Sequence, residues 1–396
     1  MNILVLSFYF RPDLSAGSFR NTALVGELEK QLPADARIDV VTTLPNRYKS
    51  FDAEAPRDER QGRVVVHRIE LPGHSSGMLD QSRAFVSFWR QAMARVAGRR
   101  YDLVYASSSR LMTAVLGAWV SKRQRAPLYL DIRDIFVDTI KDVLPAHLAL
   151  PVKPLFSLLE RWAMRSASRV NLVSGGFRAY FEERYPGLRL SFFSNGIDDE
   201  FLQHDYTRPA GFAADQDGLR VLYAGNMGEG QGLHAIVPEL ARRMSDRLHF
   251  RIIGGGGREQ ALRQALADAG VDNVTILPPV DRARLLTEYA QADVLFMHLN
   301  DYSAFEKVLP SKIFEYAATG KPVWAGVAGF AAEFVRDEVS NAAVFAPCDA
   351  AAAEQAFARL EPGEVVREAF VGKYARRNIS RALAADILAL LPGAPS

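Results

Sequence analysis

Residues 307–323 read KVLPSKIFEYAATGKPV and form the most informative segment of this chain. A polar turn ends at Ser311 and Lys312, and the pattern predicts a helix from about Ile313 that Gly320 ends. The first amides of a helix lack intrahelical partners and carry partial positive charge, which suits a phosphate. We therefore expect an anion-binding helix start at this point.

Two side chains extend this interpretation. Lys312 adds a full positive charge beside the helix start, and Glu315, one turn later, offers a carboxylate that can accept hydrogen bonds from sugar hydroxyls. Together these groups describe a clamp for a nucleotide sugar. The alternative is an ordinary helix whose lysine and glutamate are solvated, and the segment alone leaves both open.

Strand and helix patterns alternate along most of the chain. Apolar runs typical of buried parallel strands occur at 2–8, 37–42, 63–69, 102–106, 128–131, 170–173, 190–193, 219–224, 249–253, 274–277, 294–298 and 323–325. Helical patterns lie between most of them, and 363–391 is helical by pattern. Two successive series of this kind predict an α/β protein with two doubly wound, Rossmann-like sheets.

The chain length of 396 residues also exceeds a single core. We place an N-terminal domain at 1–197 and a nucleotide-sugar-binding domain, which contains 307–323, at 198–371, with a linker near 203–218. A C-terminal helix within 372–396 is expected to return to the first domain. Ligands of such sheets bind at the carboxyl ends of strands, so we expect a cleft between the domains.

Charge and composition limit the partners and the compartment. The net charge of +2 does not suggest nucleic acid, but residues 1–200 carry 28 Lys+Arg against 22 Asp+Glu, which fits a membrane surface or a lipid phosphate. A single cysteine, Cys348, indicates a reducing compartment. Residues 1–10 are interpreted as a strand and not as a secretion signal, and no apolar run spans a bilayer. We expect a cytoplasmic protein, with peripheral contact at the inner membrane left open.

The segment 82–100 is the candidate for such contact. Its apolar side chains share one helical face: Phe85, Phe88, Trp89, Ala92, Met93 and Val96. Arg83 and Arg90 lie opposite. The pattern fits an interfacial helix on anionic lipid, and it equally fits a helix packed on the sheet.

Glycine-rich turns follow two strands of the second series. Gly225 and Gly228 allow close approach of a phosphate to the backbone, or they form a tight turn only. In the tetraglycine segment 254–257, Gly255 and Gly256 leave room for a base or ribose, or they make a flexible loop. Leu277, Pro279 and Val280 are candidates to flank the base, and a core role fits them equally.

The first domain offers two candidate loops. Gly17, after the first strand, could bring backbone amides to the donor phosphate, and Arg20 could bind that phosphate or cap the surface. Residues 131–138 place charges beside a buried strand, which is costly unless they are paired or functional. Arg133 and above all Asp134 are therefore catalytic candidates, with a salt bridge from Asp134 to Arg133 or Arg110 as the alternative.

No metal site is expected. The Asp215-Gln216-Asp217 run imitates a metal signature, but it lies in the linker and is interpreted as a solvated loop. No His or Cys cluster has the spacing of a zinc site.

The second half resembles retaining glycosyltransferases of family 4, which adopt the two-domain GT-B fold with domains facing across a cleft. The resemblance spans about 190–345 and is carried by YAGNMGEGQGL at 223–233, IGGGG at 253–257, LPPV at 277–280 followed by YAQADV at 289–294, and 307–323.

Two departures from the commonest family pattern are visible. Asn226 and Gln231 stand where the family usually has arginine and lysine, and Lys307 stands where it usually has the first glutamate of a pair. These departures resemble the bacterial O-antigen and capsule enzymes that transfer N-acetylfucosamine-type amino sugars. Lys307 and Lys312 are the obvious replacements for the missing cations.

The resemblance implies a retaining transferase that moves an N-acetylated sugar from a UDP-sugar to a lipid-linked or saccharide acceptor. We expect helix-start amides near Ser311, with Lys312 and Lys307, to stabilise the leaving diphosphate without a metal or other cofactor. Glu315 would hold the ribose, and Asp134 would orient the acceptor hydroxyl or stabilise the sugar cation. A UDP-sugar epimerase of the same fold and a non-catalytic nucleotide- or glycan-binding partner remain alternatives.

Overall fold

The computed structural model describes residues 1–13, 15–45, 55–72, 78–135, 137, 146–207 and 218–391. Two compact units divide the chain: Met1–Asn195 together with Arg376–Ser396, and Gly196–Ala375. Each unit is a parallel sheet with helices, as strand–helix alternation predicts.

The first unit contains an eight-stranded sheet over its described residues. Its strands are β1 (Asn2–Ser7), β2 (Arg37–Thr43), β3 (Asp58–Gln61), β4 (Val64–Ile69), β5 (Leu103–Ser108), β6 (Leu128–Ile132), β7 (Arg169–Leu172) and β8 (Leu190–Ser191). The order is β3-β4-β2-β1-β5-β6-β7-β8. Only the edge strand β3, which the sequence did not predict, is antiparallel to its neighbour. The connections reverse direction between β1 and β5, where ligands of such sheets bind.

Helices of the first unit lie mainly between its strands. They are α1 (Ala16–Gln31), α2 (Met78–Val96), α3 (Leu111–Gln124), α4 (Ala146–Ser166) and α5 (Arg178–Arg184). Ser15 caps α1 by accepting a hydrogen bond from the Ser18 amide.

The second unit has a six-stranded parallel sheet in the order β11-β10-β9-β12-β13-β14. These strands are β9 (Leu219–Asn226), β10 (Leu248–Gly255), β11 (Val274–Leu277), β12 (Val294–His298), β13 (Val323–Gly326) and β14 (Ala342–Phe345). The direction of connection reverses between β9 and β12, so the carboxyl ends of these strands mark the expected binding edge.

Helices of the second unit include several that the sequence analysis missed. They are α6 (Asp199–Gln203), α7 (Leu233–Arg243), α8 (Glu259–Ala269), α9 (Arg282–Gln291), α10 (Lys312–Ala318), α11 (Gly329–Glu338), α12 (Ala350–Phe357) and α13 (Glu368–Tyr374). The sequence analysis did not predict α6, α11, β14 or α12. The five residues of α6 and the four of β14 give little periodicity to recognise.

The C-terminal segment predicted as one helical stretch contains two helices. α13 belongs to the second unit, and α14 (Arg376–Leu388) packs on α1 of the first. The carboxylate of Asp386 accepts hydrogen bonds of 2.7 Å from both Tyr129 and Ser191 and pairs with Arg169. These contacts fix α14 on the sheet.

Each unit has its own apolar core. Leu24, Leu28, Tyr105 and Leu383 are among the buried residues of the first, and Trp324 lies at the centre of the second. None of the helices in the described part of the chain combines the length and hydropathy that a bilayer crossing requires.

Candidate functional site

The glycine turns after β9 and β10 pack directly against each other. A Cβ on Gly254, whose φ is +149°, would lie 1.8 Å from the carbonyl oxygen of Gly225. A Cβ on Gly256 would lie 2.6 Å from the Met227 carbonyl, and the Met227 amide donates to the Gly255 carbonyl at 2.9 Å. Close backbone packing therefore accounts for part of the tetraglycine segment.

Asn226 and Gln231 stabilise the turn after β9 from within. Their side-chain amides lie 2.8 Å apart, and the Gly228 amide donates to Gln231 Oε1 at 3.2 Å. A Cβ on Gly228 would fall 2.4 Å from the Asn226 side-chain amide, so a larger residue at this position would displace that amide. At the two positions where the family usually has arginine and lysine, this chain thus has two neutral side-chain amides in contact with each other.

Lys312 and Glu315 lie beside this turn. The Lys312 ammonium donates to Glu315 Oε2 at 2.8 Å and to the Tyr289 hydroxyl at 3.3 Å. Tyr289 itself donates to Glu315 Oε2 at 3.1 Å. A Cβ built on Gly225 would be 3.1 Å from the Tyr223 hydroxyl and 3.5 Å from Lys312 Cε, so the lysine side chain packs beside that glycine together with Tyr223. Sequence analysis missed the role of Tyr289, because its spacing matches any buried helical residue.

Burial shapes the charges of this cluster. Burial, reinforced by the nearby Glu315, raises the pKa of Tyr289 well above its usual value, so the phenol stays protonated and remains a donor. Glu315 is 12% exposed and Lys312 is 27% exposed. The lysine can therefore reach a ligand, whereas the carboxylate is held in place by its partners.

The other residues of this unit that the sequence analysis selected have different structural surroundings. α10 begins at Lys312, one residue before the predicted start, and Ser311 makes no side-chain cap. Pro279 Cγ would be 3.7 Å from a Cβ on Gly255, and both Pro279 and Val280 are half-buried. Lys307 ends a 3-10 turn that packs on α11.

His298, at the end of β12, is a further part of this region that sequence analysis did not identify. Nδ1 lies 2.7 Å from the Gln231 carbonyl oxygen, and Nε2 accepts the Cys348 amide at 2.9 Å. A carbonyl requires a donor and an amide requires an acceptor, so the imidazole is neutral with its proton on Nδ1. Through Gln231 it supports the turn at Gly228.

Replacement of His298 by asparagine should flatten the pH dependence of stability. Burial lowers the pKa of His298 from 6.5 to about 4 in the folded chain, against the opposing effect of its bond to Gln231. Between these values the unfolded imidazole binds a proton and the folded one does not, so stability falls as pH drops from 6.5 to 4. We expect this group to contribute a loss on the order of 3 kcal/mol. Urea unfolding of both proteins at several pH values across this range measures it, and equal pH slopes would contradict it.

In the first unit, Gly17 and Arg133 come together at the carboxyl end of the sheet. A Cβ on Gly17 would be 3.8 Å from Arg133 Nε and Cζ. Arg133 Nη1 is buried and makes no hydrogen bond within the described structure. Burial lowers the pKa of Arg133, against the attraction of Asp131. Asp134, the next residue, is exposed, and Arg110 stacks on the Phe8 ring at 4.2 Å.

Arg20 does not have the role that the sequence suggested. Only 2% of its side chain is exposed, and it forms two 2.9 Å hydrogen bonds with the fully buried Asp131. It also donates to the Ser194 and Phe193 carbonyls at 2.6 and 2.9 Å. Neither phosphate binding nor surface capping fits this environment, because the guanidinium is already satisfied inside the domain.

Asp131 is held by further donors. Tyr105 and Asn171 donate to its carboxylate at 2.9 and 2.7 Å. Asp131 is therefore a structural anchor, and of the aspartates predicted at 131–138, Asp134 remains the exposed candidate in the described chain.

No group of three or more His, Cys, Asp or Glu side chains with metal-binding geometry occurs among the described residues. The Asp215-Gln216-Asp217 run lies outside them.

Two family models match successive parts of the chain. Residues 22–196 match the glycosyl transferase 4-like domain, and residues 208–378 match glycosyl transferases group 1. A similar sequence is the putative colanic acid biosynthesis glycosyl transferase WcaI of Escherichia coli K12, which is 25% identical over 352 residues, covering 81% of this chain and 82% of that protein.

Solved structures of the same fold cover nearly the whole chain. Sucrose-phosphate synthase from Thermosynechococcus elongatus superimposes with a TM-score of 0.68 at 16% identity, covering 99% of this chain and 95% of that one. HepE of Anabaena, in complex with UDP and glucose, gives a TM-score of 0.63 at 19% identity, covering 98% and 97%. Both solved structures support the fold, and the chain is a GT-B glycosyltransferase with a glycosyl transferase 4-like domain followed by a glycosyl transferases group 1 domain.

Proposed function

We propose that this enzyme transfers an N-acetylated hexosamine or deoxyhexosamine from a UDP-sugar to a lipid-linked or saccharide acceptor, with retention, in the assembly of a surface polysaccharide. WcaI, a colanic acid biosynthesis protein by its name, supports the polysaccharide context. The UDP in the HepE structure supports the nucleotide.

The observation that carries the proposal is the position of Lys312 beside Gly225 at the carboxyl end of β9. When the bond between sugar and phosphate breaks, negative charge grows on the diphosphate. An ammonium carried by a side chain that packs against this glycine turn stabilises that charge as it develops. In this proposal Lys312, with the amides near Ser311 and with Lys307, stabilises the leaving diphosphate electrostatically. The reaction proposed here uses no metal.

Glu315 holds the ribose in this proposal. A carboxylate has about four acceptor positions, so Oε2 can keep the Tyr289 hydroxyl while other positions receive ribose hydroxyls. Binding of a diphosphate gives Lys312 a new anionic partner in place of Glu315. The protonated phenol then keeps the carboxylate oriented after the lysine has turned to the phosphate.

The acceptor side rests on the first unit. Asp134 is exposed at the carboxyl end of β6, where it can orient an acceptor hydroxyl or stabilise positive charge on the sugar. Arg133, with a buried Nη1 that lacks a partner in the described structure, offers a donor beside Gly17 for an anionic group.

The test begins with thermal unfolding in the presence of individual UDP-sugars, since a ligand that binds only the folded protein stabilises it. We expect UDP-N-acetylhexosamines to raise Tm, and the best donor to yield UDP and a glycosylated product when a lipid-linked or saccharide acceptor is added. No shift with any UDP-sugar would refute the donor class. Sugar interconversion with donor alone would indicate an epimerase, and binding without transfer to any acceptor fraction would indicate a binding partner.

A further inference from the structure

The first unit carries an open groove with a wholly apolar lining. The groove has a volume of about 520 Å³ and lies among α2, α3 and α4. Its lining consists of Phe85, Val86, Trp89, Met112, Val115, Trp119, Leu159 and Trp162. Three of the four tryptophans of the chain line this groove.

Large apolar side chains in and beside this groove face solvent. The exposed fractions are 57% for Val86, 43% for Trp119, 56% for Leu155 and 63% for Leu158. Moving each of these apolar side chains out of water lowers the free energy. A contiguous exposed patch of this kind marks a docking surface.

α2 has one face packed on the domain and another directed to the groove. Phe88, Ala92 and Val96 are almost completely buried against the domain, as expected of a helix packed on a sheet. Val86 and Trp89 turn toward the groove instead. The surface is shared by three helices, so the periodicity of α2 alone did not reveal it.

Basic side chains outnumber acidic ones in the described parts of the three helices that form the groove. Over residues 83–96, 111–124 and 153–166 the three helices carry these basic residues: Arg83, Arg90, Arg95, Lys122, Arg123, Lys153, Arg161 and Arg165. The one acidic residue in those ranges, Glu160, is buried and accepts hydrogen bonds from two tyrosines. Lys122 lies 5.2 Å from the Trp162 ring and Arg123 lies 5.5 Å from the Trp119 ring, so both cations stand at the rim.

We propose that this groove docks onto a bilayer that contains anionic phospholipids, taking acyl chains against its tryptophans while the rim cations contact lipid phosphates. Indole rings favour the boundary between headgroups and hydrocarbon, and basic side chains near the surface are attracted to anionic lipid. Basic side chains at the rim fit an anionic lipid surface, which attracts them without a matched set of acidic side chains. This docking does not depend on which sugar the enzyme transfers.

The tryptophans provide a direct test with the full-length protein. Vesicles of phosphatidylcholine with 30% brominated phosphatidylglycerol should quench the intrinsic fluorescence, because bromine quenches only at contact. Trp324 is fully buried in the second unit, so the quenched fraction reports the groove. Unchanged fluorescence at saturating vesicle concentration would overturn the proposal.

Substitutions separate groove contact from general adsorption. Trp119→Ser with Leu158→Ser should weaken vesicle co-sedimentation roughly ten-fold or more, because both exposed side chains lose their burial in the bilayer. Val366→Ser, which removes an apolar side chain that is 82% exposed elsewhere, should leave binding unchanged. Lys122→Glu with Arg123→Glu should weaken binding to phosphatidylglycerol vesicles, whereas the exposed Arg377→Glu should not do so to a similar extent.

Two results would contradict the proposal even if the vesicles bind protein. Equal binding of the groove variants and the Val366 control would show adsorption that does not use the groove. Sedimentation equilibrium showing a dimer that the Trp119 and Leu158 substitutions dissociate, without any effect on vesicle binding, would assign the groove to a second copy of the chain. Thermal unfolding of each variant excludes loss of the fold as the cause.

Discussion

Lys312→Ala should lower kcat roughly 100-fold or more at saturating donor, which is the size of effect seen when one group that stabilises developing negative charge is removed. The Lys312 side chain packs beside Gly225, and its ammonium pairs with Glu315. Stability should fall by only about 1 kcal/mol, because the Lys312–Glu315 pair is partly exposed and Tyr289 still bonds the carboxylate. Steady-state kinetics and urea unfolding of the same preparation measure the two effects.

Lys373→Ala is the matched control for this experiment. It removes an equally charged lysine that is 56% exposed and pairs with Glu338. We expect normal kcat from this variant. Lys312→Arg should recover part of the lost turnover, since positive charge is retained. If Lys312→Ala and Lys373→Ala turn over equally, Lys312 has no part in the mechanism.

Asp131→Asn should lower the free energy of unfolding of the first unit by about 3–5 kcal/mol, because it leaves the buried Arg20 charge without its counter-ion. Burial raises the pKa of Asp131, but the charge of Arg20 and the hydrogen bonds that it donates outweigh burial, and the net pKa is lowered. The carboxylate is thus ionised at neutral pH, and the amide removes that charge while keeping a similar shape.

Urea unfolding followed by tryptophan fluorescence suits this measurement, because Trp89, Trp119 and Trp162 all belong to the first unit. Glu182→Gln in the same unit is the control. It alters an acid that is 53% exposed and pairs with Arg178 at 3.5 Å, so the expected cost is less than about 1 kcal/mol. Similar losses in the two variants would show that the Arg20–Asp131 pair contributes no more than a surface ion pair.

Strand–helix alternation predicted both parallel sheets, so the amino-acid sequence alone was sufficient for this part of the fold. The signal is local, because a strand buried on both faces is apolar throughout and ends in turn residues, as at Asn2–Ser7 and Val294–His298. Short elements such as β3 and α6 were missed, since four or five residues do not define a period.

Residue types also predicted the kind of chemistry at 307–323, and the structure places Lys312 and Glu315 together beside Gly225. The sequence could not show that these two charges pair with each other, nor that Tyr289 joins them from a different helix. Such contacts depend on the packing of α9 against the rest of the sheet, and no spacing along the chain encodes them.

The sequence by itself determined the alternation of elements, the two-sheet class and the chemical types available at each turn, because backbone periodicity and turn preference act between near neighbours. Tertiary structure alone decided that Arg20 is a buried counter-ion, that His298 is neutral, and that three helices share an apolar groove. In each case contacts with residues distant in sequence determine whether the side chain is buried or exposed, and for Arg20 and His298 also its charge state. Those quantities, and not residue identity, separate a ligand-binding group from a structural one.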